Sequence, residues 1–161
     1  MATPERVLRF SGVYHRKEGV SEEEFHRFSR DHAIRSAKIH QKYGVLKYQV
    51  AYNSSSTQKL AQSLKFPYQI NKHDLELEYY VKDPAVVHAI AKDEEFRALH
   101  EESMSYVNHE TAKATLTWIE VYLQDGKMFN IGSEGESLYP SIAEMSNIEP
   151  SAEPLAKYHS P

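Results

Sequence analysis

The stretch Ser21–Asn53, SEEEFHRFSRDHAIRSAKIHQKYGVLKYQVAYN, decides the fold. Ser21 followed three residues later by Glu24 has the spacing of a capping box, and Glu22 to Glu24 put negative charge at the positive end of a helix. Phe25, Phe28, His32, Ser36, Ile39 and Tyr43 then recur at steps of three and four, which lays them along one helical face. Arg27, Arg30, Asp31, Arg35, Lys38 and Lys42 fill most of the remaining circumference, and Gly44 supplies the stop. Beyond it Leu46, Tyr48, Val50 and Tyr52 alternate with Lys47, Gln49 and Ala51, the period of a strand with one buried face.

An imidazole therefore sits within an apolar stripe. Asp31 is adjacent in sequence, and adjacent helical residues do not face each other, so it is a poor partner for His32. A buried imidazole needs a polar group opposite it, either strand hydroxyls or a ligand. The pattern alone leaves His32 open between a structural and a catalytic role.

Working outward, Val7–Tyr14 reads as a strand with Leu8, Phe10, Gly12 and Tyr14 on one face. Gly12 removes a side chain from the strand interior, for a bulge or a close approach. After the loop Asn53–Thr57, a short helix to Leu64 is interrupted by Phe66-Pro67-Tyr68. Asp74–Val81 is the next strand, with Leu75, Leu77, Tyr79 and Val81 together. Asp83-Pro84 opens a helix to about Ile90, and a second helical run from Asp93 carries Phe96, Leu99 and Ser103. Ala114–Leu123 is the last strand. The order β-α-β-β-α-β predicts an α+β, ferredoxin-like fold with both helices on one face of a four-stranded antiparallel sheet. Val7, Val13, Ile119, Val121 and Leu123 would leave the other face partly apolar, so a second copy is expected to cover it as a homodimer.

The domain is expected over residues 1–125. Residues 126–161 read as an extension laid on the domain or its partner, with Phe129, Ile131, Leu138, Tyr139, Ile142, Met145 and Ile148 as spaced anchors. Its final dozen residues, ending at Pro161, are expected to be weakly held.

With 161 residues, 40% hydrophobic and 26% charged, the chain suits one soluble domain. A net charge of −4 without a long basic run argues against a nucleic-acid or anionic-membrane partner. The chain has no cysteine, which removes disulfides, thiolate metal sites and a cysteine nucleophile. No run reaches transmembrane length and the first residues lack a signal-peptide core, so a cytoplasmic protein is expected. The nine histidines include no His-Glu-x-x-His spacing, and neither glycine-rich phosphate fingerprint occurs. A site without metal, flavin or nicotinamide is therefore expected. It would be built from histidine, tyrosines and apolar side chains, with Tyr14, Tyr48 and Tyr52 directed at the face carrying His32. A flat, hydroxylated aromatic ligand suits such walls.

Val13-Tyr14-His15-Arg16-Lys17, then Gly19–Arg27, Asp31-His32-Ala33, Tyr43-Gly44 and Lys47-Tyr48 resemble the opening half of EthD-domain proteins. The likeness covers about residues 5–125. It implies the dimeric α+β-barrel superfamily, and among its members the chain looks most like small fungal proteins of aromatic polyketide pathways. That resemblance implies a cofactor-independent decarboxylase acting on an anthrone-type carboxylic acid. Dehydratases, cyclases and anthrone oxygenases share the fold, and a dimeric ligand-binding protein without turnover is the reading from another class. His32 matches the family histidine, while Ser29 stands where the family often carries tryptophan, implying a pocket of different shape. On this reading His32 delivers the proton, with His109 as a second acid/base candidate. Tyr48 and Tyr52 donate to the developing oxyanion, and Phe28 and Trp118 form apolar walls.

Overall fold

The structure, a computed structural model, describes residues 2–155. Its main sheet contains β1 (Val7–Arg16), β2 (Lys47–Tyr52), β3 (Leu75–Val81) and β4 (Val107–Ile119), in the order β2-β3-β1-β4 with every neighbour antiparallel. Helices α1 (Glu22–Lys42), α3 (Ala85–Lys92) and α4 (Glu94–Ser103) make the two crossovers of a ferredoxin-like α+β fold, and α2 (Ser55–Ser63) is an insertion between β2 and β3.

Local chemistry explains the element boundaries. Both bonds of the α1 capping box are present: Glu24 N–H donates to the Ser21 hydroxyl, and Ser21 N–H donates to the Glu24 carboxylate. The chain leaves α1 through Gly44 at φ +80°, a left-handed conformation that glycine adopts without penalty. Asp93 divides α3 from α4. Its backbone is extended, and its carboxylate accepts from Phe96 N–H, from the Tyr43 hydroxyl at 2.6 Å and from Lys42 at 3.0 Å. These bonds, the Tyr43 one foremost, hold the Asp93 pKa down to about 2. Glu22 accepts from the backbone N–H and hydroxyl of Ser55, which ties α2 to the start of α1.

The core lies between the sheet and the helices. Leu8, Tyr79 and Val81 form its sheet-side cluster, and α1 contributes Phe25 and Ile39. Burial of each such side chain is worth about 1.5–3 kcal/mol. The opposite sheet face carries Val7, Val13 and Ile119 as expected and is only partly apolar. Its centre is polar: Glu78 accepts from Gln49 at 2.8 Å and from the Tyr80 hydroxyl at 2.9 Å, and pairs with Arg9 at 3.6 Å. The strand begins at Val107 rather than Ala114 and ends at Ile119, which leaves Val121 and Leu123 outside it.

Past β4 come a two-stranded hairpin, β5 (Leu123–Gln124) and β6 (Lys127–Met128), and a short helix α5 (Ile142–Met145). The Tyr139 hydroxyl accepts from Val121 N–H, and Arg6 donates to the Met145 carbonyl at 3.0 Å. Met145 is fully buried, whereas Phe129, Ile142 and Ile148 are exposed, so the extension has one deep anchor rather than a row. Further along, Ser151 pairs with His88 at 3.0 Å. Residues 156–161, on which much of the expectation for the weakly held end falls, lie outside the described residues. Among those described, no helix is long and apolar enough to cross a membrane.

Candidate active site

A cavity of about 300 Å³ lies between the helix-bearing face of the sheet and the helices. Four turns of α1 furnish one wall, because Phe28, His32, Ser36 and His40 follow at steps of four and so stack along the same face. Phe28 stacks on Tyr106 at 4.2 Å, and the His32 ring lies tilted against it at 5.3 Å. His32 Nδ1 is buried and has no hydrogen-bond partner among the described residues. Burial, then the Arg35 guanidinium, hold the His32 pKa below its ordinary value, so the ring rests neutral at pH 7. Arg35 itself pairs with Glu102 of α4 and with Asp31, and this ion cluster sits outside the cavity.

Deeper in, His40 is 2% exposed and its Nδ1 donates to the Ser36 carbonyl at 2.7 Å. Tyr48, Tyr79 and Phe96 surround its ring. Burial depresses the His40 pKa and pushes the Tyr48 hydroxyl up to about 12, a shift the nearby Ser36 hydroxyl tempers. Both groups are therefore neutral, and Tyr48 is a donor rather than an acid.

The sheet supplies the floor. Tyr14 lies back over Gly12, and a Cβ on Gly12 would fall 2.5 Å from its hydroxyl. Opposite Tyr14 the β1–β4 ladder is irregular: Val13 pairs with Lys113 and His15 with Asn108, so β4 carries surplus residues between these points. Such bulges re-aim side chains. Here His109 and Ala112 reach the cavity, where His109 Nε2 meets the Ser103 hydroxyl at 2.8 Å and its ring lies 4.6 Å from that of His100. Leu155, at the end of the described extension, closes part of the wall.

Of the residues singled out in the sequence, His32, His109, Tyr14, Phe28 and Tyr48 line this cavity together. Tyr52 and Trp118 do not. Tyr52 shares a face with Tyr48 but lies ~13 Å farther along the strand. There its ring packs edge-on against His26, 4.9 Å away. Trp118 pairs with Leu8, far along β4 from the bulge, and packs against the Leu8–Tyr79–Val81 cluster as a core residue. His40, His100 and Ser103 line the cavity without having been singled out as site residues. The step of four from His32 through Ser36 marks His40, and the 96, 100, 103 spacing marks the α4 pair.

No lysine, arginine, aspartate or glutamate occurs among the described lining residues. Among the described residues, no group of three or more histidines and carboxylates is arranged to hold a metal. The arrangement is an apolar chamber whose polar equipment is imidazole, phenol and hydroxyl. It can move protons and donate hydrogen bonds to a developing oxyanion.

An α+β domain of this topology, with a histidine-bearing helix over an aromatic sheet floor, has recognisable relatives. The chain belongs to the EthD-domain family, whose model matches residues 17–110. It is 32% identical over 145 residues to a protein of Aspergillus terreus named "Putative oxygenase", covering 87% of this chain and 91% of that one. It is 24% identical over 132 residues to a dehydratase of Pestalotiopsis fici, covering 79% and 96% respectively. The fold is shared with a crystal structure from Bacteroides fragilis, described as a dimeric protein of unknown function and ferredoxin-like fold. That match has a TM-score of 0.52 at 11% identity and covers 70% of this chain and 96% of the other.

Proposed function

We propose that the chain is a cofactor-independent lyase that decarboxylates an aromatic polyketide acid of the anthrone type. The observation that carries this reading is the cavity itself: aromatic walls, four histidines, two tyrosines besides Tyr79, and no formally charged lining residue among those described. A carboxylate is poorly stabilised in such surroundings, whereas the charge left after carbon dioxide departs spreads into the ring system.

Neutral His32 takes the proton of the carboxylic acid. The bond between ring carbon and carboxyl carbon then breaks, carbon dioxide leaves, and the electron pair moves to the neighbouring carbonyl oxygen. Tyr48, and Tyr14 from the floor, donate to that oxygen. The proton returns from the imidazolium to carbon, with His109 as the second acid/base group on the facing wall. The acid thus becomes the parent arene and carbon dioxide, with no electron or proton gained or lost overall.

The same groups serve dehydration, a second reading favoured by the relative named as a dehydratase. One histidine would take a proton beside a carbonyl while the other protonates the departing hydroxyl. Mass spectrometry after incubation with an anthrone-type acid separates the readings. Loss of carbon dioxide is expected, and loss of water instead favours dehydration. Gain of oxygen would match the name of the Aspergillus terreus relative, and an acid bound but unchanged would mean a ligand-binding protein.

The working unit on this reading is a homodimer joined through the uncovered sheet face. Support comes from Val7, Val13 and Ile119 on that face, from the half-buried Arg9–Glu78 pair, and from the dimeric protein of shared fold. Such an interface buries ~1,200 Å² or more. Light scattering that finds only monomer at micromolar concentration overturns it.

A further inference from the structure

Ser103 is buried near the end of α4, and its hydroxyl stands between two acceptor-capable groups. It donates to the His100 carbonyl at 2.5 Å, and it lies 2.8 Å from His109 Nε2. A serine hydroxyl has one proton and two lone pairs. With that proton committed to the carbonyl, Ser103 Oγ accepts from His109, so Nε2 bears hydrogen. In the neutral ring the lone pair is then on Nδ1. In the charged ring Nδ1 carries the added proton, so one atom both takes and returns it.

A serine this close to a histidine invites comparison with a nucleophile and its base. The direction of the proton argues otherwise, because an activated nucleophile donates to the imidazole and Ser103 donates to a helix carbonyl. The need for a positioning group is evident from the backbone. His109 arrives on the irregular stretch of β4, where ladder pairing with β1 is interrupted.

We propose that Ser103 is a positioning residue that relays the His100 carbonyl to His109 and fixes the Nε2–H tautomer, so that proton exchange at this wall passes through Nδ1. The catalytic consequence rests on the acid–base reading of the cavity, whereas the tautomer does not.

Nitrogen NMR of ring-labelled histidine tests both parts. Wild-type His109 is expected in a single tautomer with hydrogen on Nε2, a measurement that needs no variant. Ser103→Ala is expected to give mixed tautomers. Ser103→Thr should restore one, since threonine bonds back to the same helical carbonyl. With an acid that is turned over, Ser103→Ala should lower kcat while leaving KM nearly unchanged, and by less than the ~10²–10⁴-fold that follows loss of an acid–base group itself. Ser103→Thr should recover the rate. Hydrogen on Nδ1 in the wild type, or an unaltered tautomer in folded Ser103→Ala, overturns the proposal. Ring nitrogens that respond as expected in a protein that turns over no acid leave the positioning intact and defeat the functional reading alone.

Discussion

The phenol of Tyr14 occupies the space above Gly12, two residues earlier on the same face of β1. A Cβ at Gly12 would meet the hydroxyl oxygen and two ring carbons of Tyr14 within 2.8 Å. Gly12 is thus less a source of flexibility than a recess that lets an aromatic ring lie flat on the cavity floor. Gly12→Ala should force the ring away and cost about 1–3 kcal/mol, the usual range for overpacking. In a Tyr14→Ala background the same substitution should cost much less, and a double-mutant cycle by denaturant unfolding reads the difference. Equal costs in both backgrounds would mean that something other than Tyr14 fills the recess.

His32 is the residue on which turnover should depend most. Its removal in His32→Ala should lower the rate by ~10²–10⁴-fold while the protein stays folded. Turnover and thermal unfolding on one preparation separate this from a structural role. A folded variant with near-wild-type turnover ends the catalytic assignment.

Asp93 couples a helix start to the end of α1, since one carboxylate caps α4 and also holds Tyr43 and Lys42. Asp93→Ala should destabilise the fold by about 2 kcal/mol, the upper end for a lost N-cap, and Asp93→Asn by less because the amide still caps. With a folded pKa near 2 against an ordinary 3.8, its contribution is complete above pH 3.8 and fades as the pH falls toward 2. Acid titration of wild type and Asp93→Asn should differ in that window and converge below it.

A second acid sensitivity sits higher on the pH scale. His32 and His40 both have folded pKa values below the ordinary 6.5. As the pH drops past that value the unfolded chain binds protons that the folded chain still refuses, so stability is full above it and declines below it. Denaturant unfolding on either side of pH 6.5 should show the decline, and His40→Phe should make it shallower. A slope unchanged in the variant would show that His40 does not contribute.

The extension offers a test in two lengths. Truncation after Ile148 removes Leu155 and the Ser151–His88 bond, and should weaken ligand binding with little loss of stability. Truncation after Gln124 also removes Met145, and should lower the unfolding midpoint and increase binding of a hydrophobic dye. If both shortened chains match the full protein in stability and binding, the segment is a passive tail.

How far the sequence carries depends on whether the cause is local. The capping box of Ser21 and Glu24 and the period of α1 depend on residues a few places apart, and both appear in the structure as read. The strand order follows from alternating elements, which is why the ferredoxin-like arrangement was legible. The start of β4 was not, because Asn108-His109-Glu110-Thr111 shows no alternation and its shape depends on pairing with β1. Trp118 falls outside the cavity for a related reason: alternation tells which face a residue takes but not how far along the strand the cavity extends. His40 escapes the stripe because the buried arc of α1 is wide enough to hold both Ile39 and His40, and a single stripe follows only one of them.

The surplus residues on β4 separate two things that most strands hold together. The pairings on either side, Val13 with Lys113 and His15 with Asn108, maintain the sheet whatever lies between them. Shortening or lengthening residues 109–112 would therefore withdraw or advance His109 against the cavity without re-registering the scaffold. In an inherited fold this is a hinge for divergence: the chemistry of one wall can change by a local insertion or deletion while the architecture around it persists.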